Sequence, residues 1–150
     1  MKETNHAPAD KTYLSKSLII RGLQCHKSLY LHKYHPELKD DIPPSREAVF
    51  ETGTEVGILA RGLFPGGINI PYERDGIKKQ AELTKHAIEK GISTIYEASF
   101  QHNGVFVKID ILRKGKRGWE IYEVKSSTSL KDIYIPDAAV QHYAAVGAGL

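Results

Sequence analysis

Cysteine, long apolar runs and an apolar N-terminal stretch are scarce or missing in this sequence. Its 150 residues include one cysteine, Cys25, which excludes an internal disulfide framework and a four-thiolate zinc or iron–sulfur site built by this chain alone. No apolar run approaches the roughly 20 residues of a membrane-spanning helix, and the opening MKETNHAPAD is too polar for a signal peptide. We therefore expect a cytoplasmic protein with no membrane partner.

A strong excess of charge is also missing. The chain has 21 basic and 18 acidic residues, for a net charge of +3, which by itself does not indicate a nucleic-acid partner. Hydrophobic residues make up 41% and charged residues 26%, proportions typical of a globular protein with a packed core. The length predicts one domain, which we place at residues 13–150 behind a disordered tail at 1–12.

The N-terminal part of the chain has apolar spacings typical of helices. Ser15 is the expected N-cap of a short helix that Gly22 should break, and Gly91 is the expected left-handed residue after the last of these helices. The remaining helices are predicted at about 24–34, 46–64 and 75–90.

A change to alternating apolar residues indicates a sheet between 94 and 126. The turn signals Asn103-Gly104 and Gly115-Lys116 divide it into three antiparallel strands, predicted at 94–101, 104–113 and 118–126. A final helix is expected to begin near Pro136, because proline favours the first helical turn. Helices followed by three strands and a helix predict the α+β class, or a mixed α/β arrangement.

The two turns also predict which residues lie opposite one another. The first turn places Glu97 opposite Asp110, and the second places Asp110 opposite Ile121 with Glu123 as its diagonal neighbour. Side chains two residues apart share a face of a strand, so Lys125 joins Glu123. One sheet face is thus expected to carry these charged side chains, while the opposite face is almost wholly apolar and packs on helices.

Three carboxylates on one sheet face need a counter-charge. Like charges opposed on a sheet cost up to about 1 kcal/mol, and partial burial raises the pKa of at least one carboxyl. Mg²⁺ or Mn²⁺ would relieve the repulsion because both prefer hard oxygen ligands, and Lys125 would stabilise the transition-state charge of a phosphate. The alternative is a solvated outer face on which Lys125 merely neutralises Glu123.

Asp110, followed on the next strand by Glu123-Val124-Lys125, resembles the D…ExK signature of the PD-(D/E)XK nuclease superfamily. The order of motifs is similar to that of its RecB-like branch. A helix motif, Gly53-Thr54-Glu55-Val56-Gly57, comes first, then a strand with Glu97, then the hairpin, and then a helix with Gln141-His142-Tyr143. The opening from Leu14 to Leu31 is similar to the N-terminus of an uncharacterised bacterial family assigned to that branch.

The resemblance implies an Mg²⁺- or Mn²⁺-dependent deoxyribonuclease, with DNA as its partner. Asp110, Glu123 and Lys125 would be the catalytic residues. The metal would be held by Asp110 and Glu123, with the carbonyl of Val124 and with Glu97.

The resemblance also implies a restriction-endonuclease-like αβββαβ core. Glu55, Gln141 and Tyr143 would support the site or contact DNA. Because the chain ends after the second core helix, we expect the final strand to be missing and a further C-terminal domain to follow in a longer protein. The open sheet edge would then favour dimerisation.

Departures from the branch leave other functions open. Gly57 stands where many members have a metal-binding histidine, so Glu55, Glu51 or water would have to substitute. Tyr143 follows Gln141 by two residues rather than four, and the cluster-binding members have four cysteines where this chain has one. The alternatives are a catalytically degenerate module of the same fold, which binds nucleic acid or a protein partner, and a structural domain that serves a C-terminal enzyme.

Overall fold

A computed structural model describes residues 13–41, 43–72 and 76–150. The tail expected at 1–12 and the side chains of 44–51, Glu51 among them, lie outside the described residues. None of the helices in the described ranges is both long and apolar enough to cross a membrane. The elements, in chain order, are β1 (Leu14–Ser15), α1 (Lys16–Gln24), α2 (His26–Tyr34), α3 (Pro44–Arg61), β2 (Ile68–Asn69), α4 (Ile77–Glu89), β3 (Thr94–His102), β4 (Val105–Gly115), β5 (Gly118–Tyr122) and α5 (Tyr134–Gly147).

The strands form one mixed sheet with β4 inside it. β4 pairs antiparallel with β3 along most of its length, antiparallel with β5 near its end, and parallel with β1 at its start. β2 pairs parallel with β3, so the order is β1-β4-β3-β2 with β5 also against β4. The predicted mixed α+β class is confirmed. The sequence pattern missed β1 and β2, because two residues are too few to produce an alternation.

The core lies where α4 and α5 pack against β3 and β4. Ile95, Ile109 and Leu112 of the sheet are completely buried, as are the small residues Ala144 and Ala145 of α5. Burial of one large aliphatic side chain contributes about 1.5–3 kcal/mol. These strands and α5 therefore form the support for the polar side chains described below.

The register of the second hairpin differs from the prediction by two residues. The first hairpin has the predicted register, but Leu112 pairs with Ile121, so the expectation that Asp110 lies opposite Ile121 is wrong. Gly115 pairs with Gly118, so the two residues at the turn are Lys116 and Arg117. Gly118 takes a φ of +142°, which residues with a side chain rarely adopt. A shift of two keeps every side chain on its predicted face.

Several element boundaries also differ from the prediction. Gly22 does not break α1 but is buried within it, and a Cβ there would lie 2.9 Å from Cδ2 of Leu29, so glycine allows α1 and α2 to approach closely. β5 ends at Tyr122 rather than near 126, and α5 begins at Tyr134, before Pro136. Gly91 has the left-handed φ of +76° that the sequence predicted.

Candidate active site

Asp110 of β4 lies beside the segment that follows β5. Its Oδ2 atom accepts a hydrogen bond of 2.7 Å from the N–H of Val124. The last registered pair of this hairpin is Ile111 with Tyr122, so the next position in the same register sets Asp110 opposite Glu123. The shift of two residues thus makes Glu123 a direct neighbour of Asp110 rather than a diagonal one.

Glu123 belongs to a network of two lysines and two carboxylates, which we call the lysine–carboxylate network (Lys16, Glu123, Lys125 and Asp137). Oε1 of Glu123 lies 2.6 Å from Nζ of Lys16 and 2.5 Å from Nζ of Lys125. The same two ammonium groups lie 3.3 Å and 2.7 Å from Asp137 oxygens. The carboxylate side chains are 13% and 10% exposed, so solvent screens these pairs less than ordinary surface pairs.

Gln141 of α5 completes the surroundings of Glu123. It is fully buried, and its Nε2 atom donates a hydrogen bond of 2.7 Å to Oε2 of Glu123. It follows Asp137 by one helical turn, so α5 presents both side chains on one face. Its Oε1 atom has no hydrogen-bond partner in the described part of the chain. An unsatisfied buried oxygen costs about 1–3 kcal/mol, which the charge-assisted hydrogen bond from Nε2 to Glu123 offsets in part.

The ionisable groups of the site have strongly shifted pKa values. Burial and the charge of Glu123 raise the pKa of Asp110 to about 6, against the opposing hydrogen bond from Val124. Burial would also raise the pKa of Glu123, but Lys16 and Lys125 outweigh it and lower that pKa. Burial opposes the charge of Lys125, yet its hydrogen bonds to Asp137 and Glu123 raise its pKa. Near pH 7, Glu123 is therefore an anion, Lys125 a cation, and Asp110 a carboxylate that protonates just below neutrality.

Glu97 of β3 is held by a separate pair of cations. Its carboxylate oxygens lie 2.9 Å from Nη2 of Arg61 and 3.1 Å from Nζ of Lys108. Its φ is +56°, and the β3–β4 pairing is interrupted there, although Tyr96 and Ala98 on either side are paired. A left-handed residue with a side chain costs roughly 1–2 kcal/mol, so the strand is distorted at the position that the register sets opposite Asp110.

The donor chemistry of Asp110 and Glu123 fits a hard divalent cation. Both supply carboxylate oxygens. Burial, and then the charge of Glu123, raise the pKa of Asp110, so a cation bound there would stabilise its charged form. Across residues 13–41, 43–72 and 76–150, no group of three or more His, Cys, Asp or Glu side chains could hold a metal ion. Arg61 and Lys108 engage the Glu97 carboxylate, just as Lys16, Lys125 and Gln141 engage that of Glu123. Metal binding by Asp110, Glu123, Glu97 and the Val124 carbonyl therefore stays a prediction.

The structure places the other predicted site residues less centrally. Glu55 is exposed on α3, and among the described residues no ion pair joins it to the network. Tyr143 is 48% exposed and lies at the first hairpin turn, where its hydroxyl accepts a hydrogen bond of 3.3 Å from Asn103 and its ring packs edge-on against His102. Of the three supporting residues predicted, only Gln141 contacts Glu123.

Sequence reasoning missed two members of the lysine–carboxylate network, Lys16 and Asp137. Lys16 is the first residue of α1, and Asp137 lies in the first turn of α5. A signal existed for Asp137, since an acidic residue four positions before Gln141 shares its helix face. No spacing rule links Lys16 to Glu123, which is 107 positions later in the chain.

Comparisons with known proteins give no relative from which a function could be transferred to this chain. No protein-family model, curated protein or solved structure matches the chain. What remains is the chemistry of two adjacent carboxylates, two lysines and a buried amide on one side of a sheet. Such a set can hold a cation and a phosphate next to each other.

Proposed function

We propose that this chain is a metal-dependent phosphodiesterase of DNA that uses Mg²⁺ or Mn²⁺. One observation carries the proposal: Asp110 and Glu123 are adjacent carboxylates with oppositely shifted pKa values, and Lys125 lies 2.5 Å from Glu123. This is the set of groups that the D…ExK resemblance implies. The strained backbone of Glu97 next to Asp110 adds support, because such outliers cluster at functional sites.

Each residue has a role that its environment supports. Asp110 and Glu123 would hold the metal, which when bound supplies Lewis-acid polarisation of a phosphate oxygen and a bound water of lowered pKa. Lys125 is too firmly protonated to act as a base, because hydrogen bonds to two carboxylates raise its pKa. Its contribution is therefore positive charge, placed to stabilise the transition state. Gln141 orients Glu123 through its amide N–H.

A second function is favoured by the charge balance of the network. Lys16 and Lys125 already neutralise Glu123 and Asp137, and Gly57 brings no side chain where many RecB-like members have a histidine. A module of this kind would bind nucleic acid or a protein partner without cleaving it. The decisive difference between the two functions is cleavage.

The test is a cleavage assay with the full-length chain. Labelled single-stranded and duplex DNA are incubated with Mg²⁺, Mn²⁺ or EDTA, with wild type and Asp110→Asn side by side. The proposal expects cleavage that needs the metal and is lost in Asp110→Asn. Absence of cleavage in a folded wild type that binds DNA would replace the nuclease with the binding module.

The setting of this activity is part of the proposal. The single cysteine, Cys25, is consistent with a reducing cytoplasm. Dimerisation through a sheet edge stays a proposal on the same footing as the DNA partner.

A further inference from the structure

A cleft opens beside the lysine–carboxylate network. It has a volume of about 530 Å³ and lies between α1, α2 and the start of α5. Its lining includes Lys16, Lys125 and Asp137 of the network together with Arg21, Gln24 and Ser28. Because three members of the network line the cleft, a group bound in it would lie next to Glu123.

Arg21 provides the unbalanced positive charge of this cleft. The two lysines face two carboxylates at 2.5–3.3 Å, so their charge is compensated. Arg21 forms no ion pair with a carboxylate in the ranges that the structure describes, and its Nη1 atom donates a hydrogen bond of 2.9 Å to Oγ of Ser28. A planar guanidinium fixed in this way retains further N–H donors suited to phosphate oxygens.

A second cleft shares Lys125 and Tyr134 with the first. Its volume is about 480 Å³, and its lining includes Glu123, Lys125, Tyr134 and the hydroxyl-bearing segment 127–129. Lys125 and Tyr134 line both clefts, with Nζ of Lys125 5.5 Å from the centre of the Tyr134 ring. Two clefts that share one lysine suit a chain-like ligand that extends past it, rather than a compact one.

We propose that Arg21 binds the backbone phosphate next to the phosphate at Lys125, so that a nucleic-acid strand lies along both clefts. The inference rests on the proposed function, because it takes the site at Lys125 as the point of reaction. It adds a residue on α1 that the D…ExK motif does not include. It also assigns this phosphate contact to the uncompensated charge of Arg21, which lies outside the lysine–carboxylate network.

The test measures binding without metal. A fluorescein-labelled oligothymidylate is titrated in EDTA at several salt concentrations with wild type and Arg21→Gln. Loss of one phosphate contact should weaken binding about five- to tenfold at low salt and reduce the slope of log affinity against log salt by about 0.7. Arg21→Lys, which keeps the charge, should recover most of the affinity.

A control variant separates this contact from general charge. Lys27→Gln removes the same charge from an exposed position of α2 that does not line the cleft. It should bind as wild type does. The inference is overturned if Arg21→Gln binds with the affinity and salt slope of wild type, or if Lys27→Gln weakens binding as much as Arg21→Gln does. It is also overturned if wild type binds no oligothymidylate.

The outcomes for the cleft and for the nuclease are distinguishable. If wild type cleaves DNA and Arg21→Gln cleaves it with the same KM and kcat, the proposed Arg21 contact is wrong and the nuclease proposal stands. If binding depends on Arg21 but no metal supports cleavage, the Arg21 contact stands and the chain is a binding module.

Discussion

Nζ of Lys16 lies 2.6 Å from Oε1 of Glu123, and this contact joins residues 107 positions apart. It attaches the first residue of α1 to the segment after β5, at a point where both side chains are mostly buried. Lys16 also reaches Asp137 of α5. The N-terminal helix α1 is therefore part of the candidate site, which is assembled from α1, the β4–β5 hairpin with the segment after it, and α5.

Lys16→Met should destabilise the protein by about 1–3 kcal/mol at pH 7.5, because Glu123 and Asp137 lose one of two buried counter-charges. The pKa of Glu123 is lowered from 4.5, so its pairing contributes stability above that value and less as pH falls below it. The difference from wild type should therefore shrink below about pH 4. Urea unfolding at pH 7.5 and below pH 4 measures the difference in stability between variant and wild type. As a control, Lys27→Met at an exposed position of α2 should change stability by less than about 0.5 kcal/mol. An equal effect of both variants would contradict a role for the Lys16 pairs.

Asp110→Asn should stabilise the protein at pH 7.5 and change little near pH 3.5. The pKa of Asp110 is raised from 3.8 to about 6 in the folded chain, so folding favours its protonated form and ionisation removes stability as pH rises between these values. Asparagine keeps an oxygen for the Val124 N–H and carries no charge. A gain of about 1–3 kcal/mol at pH 7.5 is expected from a shift of this size. Thermal unfolding across this pH range checks it, and a loss of stability at pH 7.5 would disprove the raised pKa of Asp110.

The candidate site was predictable from sequence where its geometry is local. Asp110 lies in β4, and Glu123 and Lys125 directly follow β5, so the hairpin places them together even though its register differs by two residues. Lys16 and Asp137 join the site through the packing of α1 and α5 on the sheet, which no spacing in the chain encodes. The φ of Glu97 was equally unpredictable, because glutamate has no preference for the left-handed region and only the surrounding structure holds it there.

The fold, too, was predictable where it depends on local sequence and not where it depends on packing between distant elements. Alternation and turn residues predicted β3 and β4 closely, since both strands are long and half or fully buried. Gly22 was misjudged because a glycine that allows two helices to approach has the same local sequence as one that ends a helix. Such close contacts depend on the partner helix, which lies outside any sequence window.

Gln141→Glu should be strongly destabilising at pH 7.5 and much less so at pH 5. The variant puts a carboxyl group in place of the amide that lies 2.7 Å from Oε2 of Glu123, at a position with no exposure. Two buried like charges cost several kcal/mol, so we expect a loss of about 2–4 kcal/mol. At pH 5 the new carboxyl should hold a proton and donate it to Glu123. Urea unfolding at the two pH values tests this, with the exposed Gln24→Glu as control; similar losses in both variants would show that Glu123 is not the cause.

Lys125→Ala should lower the rate of metal-dependent cleavage by about 100-fold or more while leaving DNA affinity nearly unchanged. A group that stabilises transition-state charge affects kcat, and loss of such a group costs this much in comparable sites. A lysine that only contacted phosphate would instead weaken binding and flatten its salt dependence. Single-turnover rates and equilibrium binding, measured on the same DNA with saturating Mn²⁺, separate the two.

The pH profile and a matched variant sharpen the test of Lys125. Because the pKa of Lys125 is raised, the wild-type rate should show no lysine titration between about pH 6 and 9, as expected for a fixed cation rather than a general base. Lys116→Ala removes the same charge from the exposed hairpin turn and should cleave at the wild-type rate. Equal cleavage by wild type, Lys125→Ala and Lys116→Ala would exclude Lys125 from the reaction. A lysine titration in the wild-type rate that Lys125→Ala abolishes would instead make it a base, contrary to its position between two carboxylates.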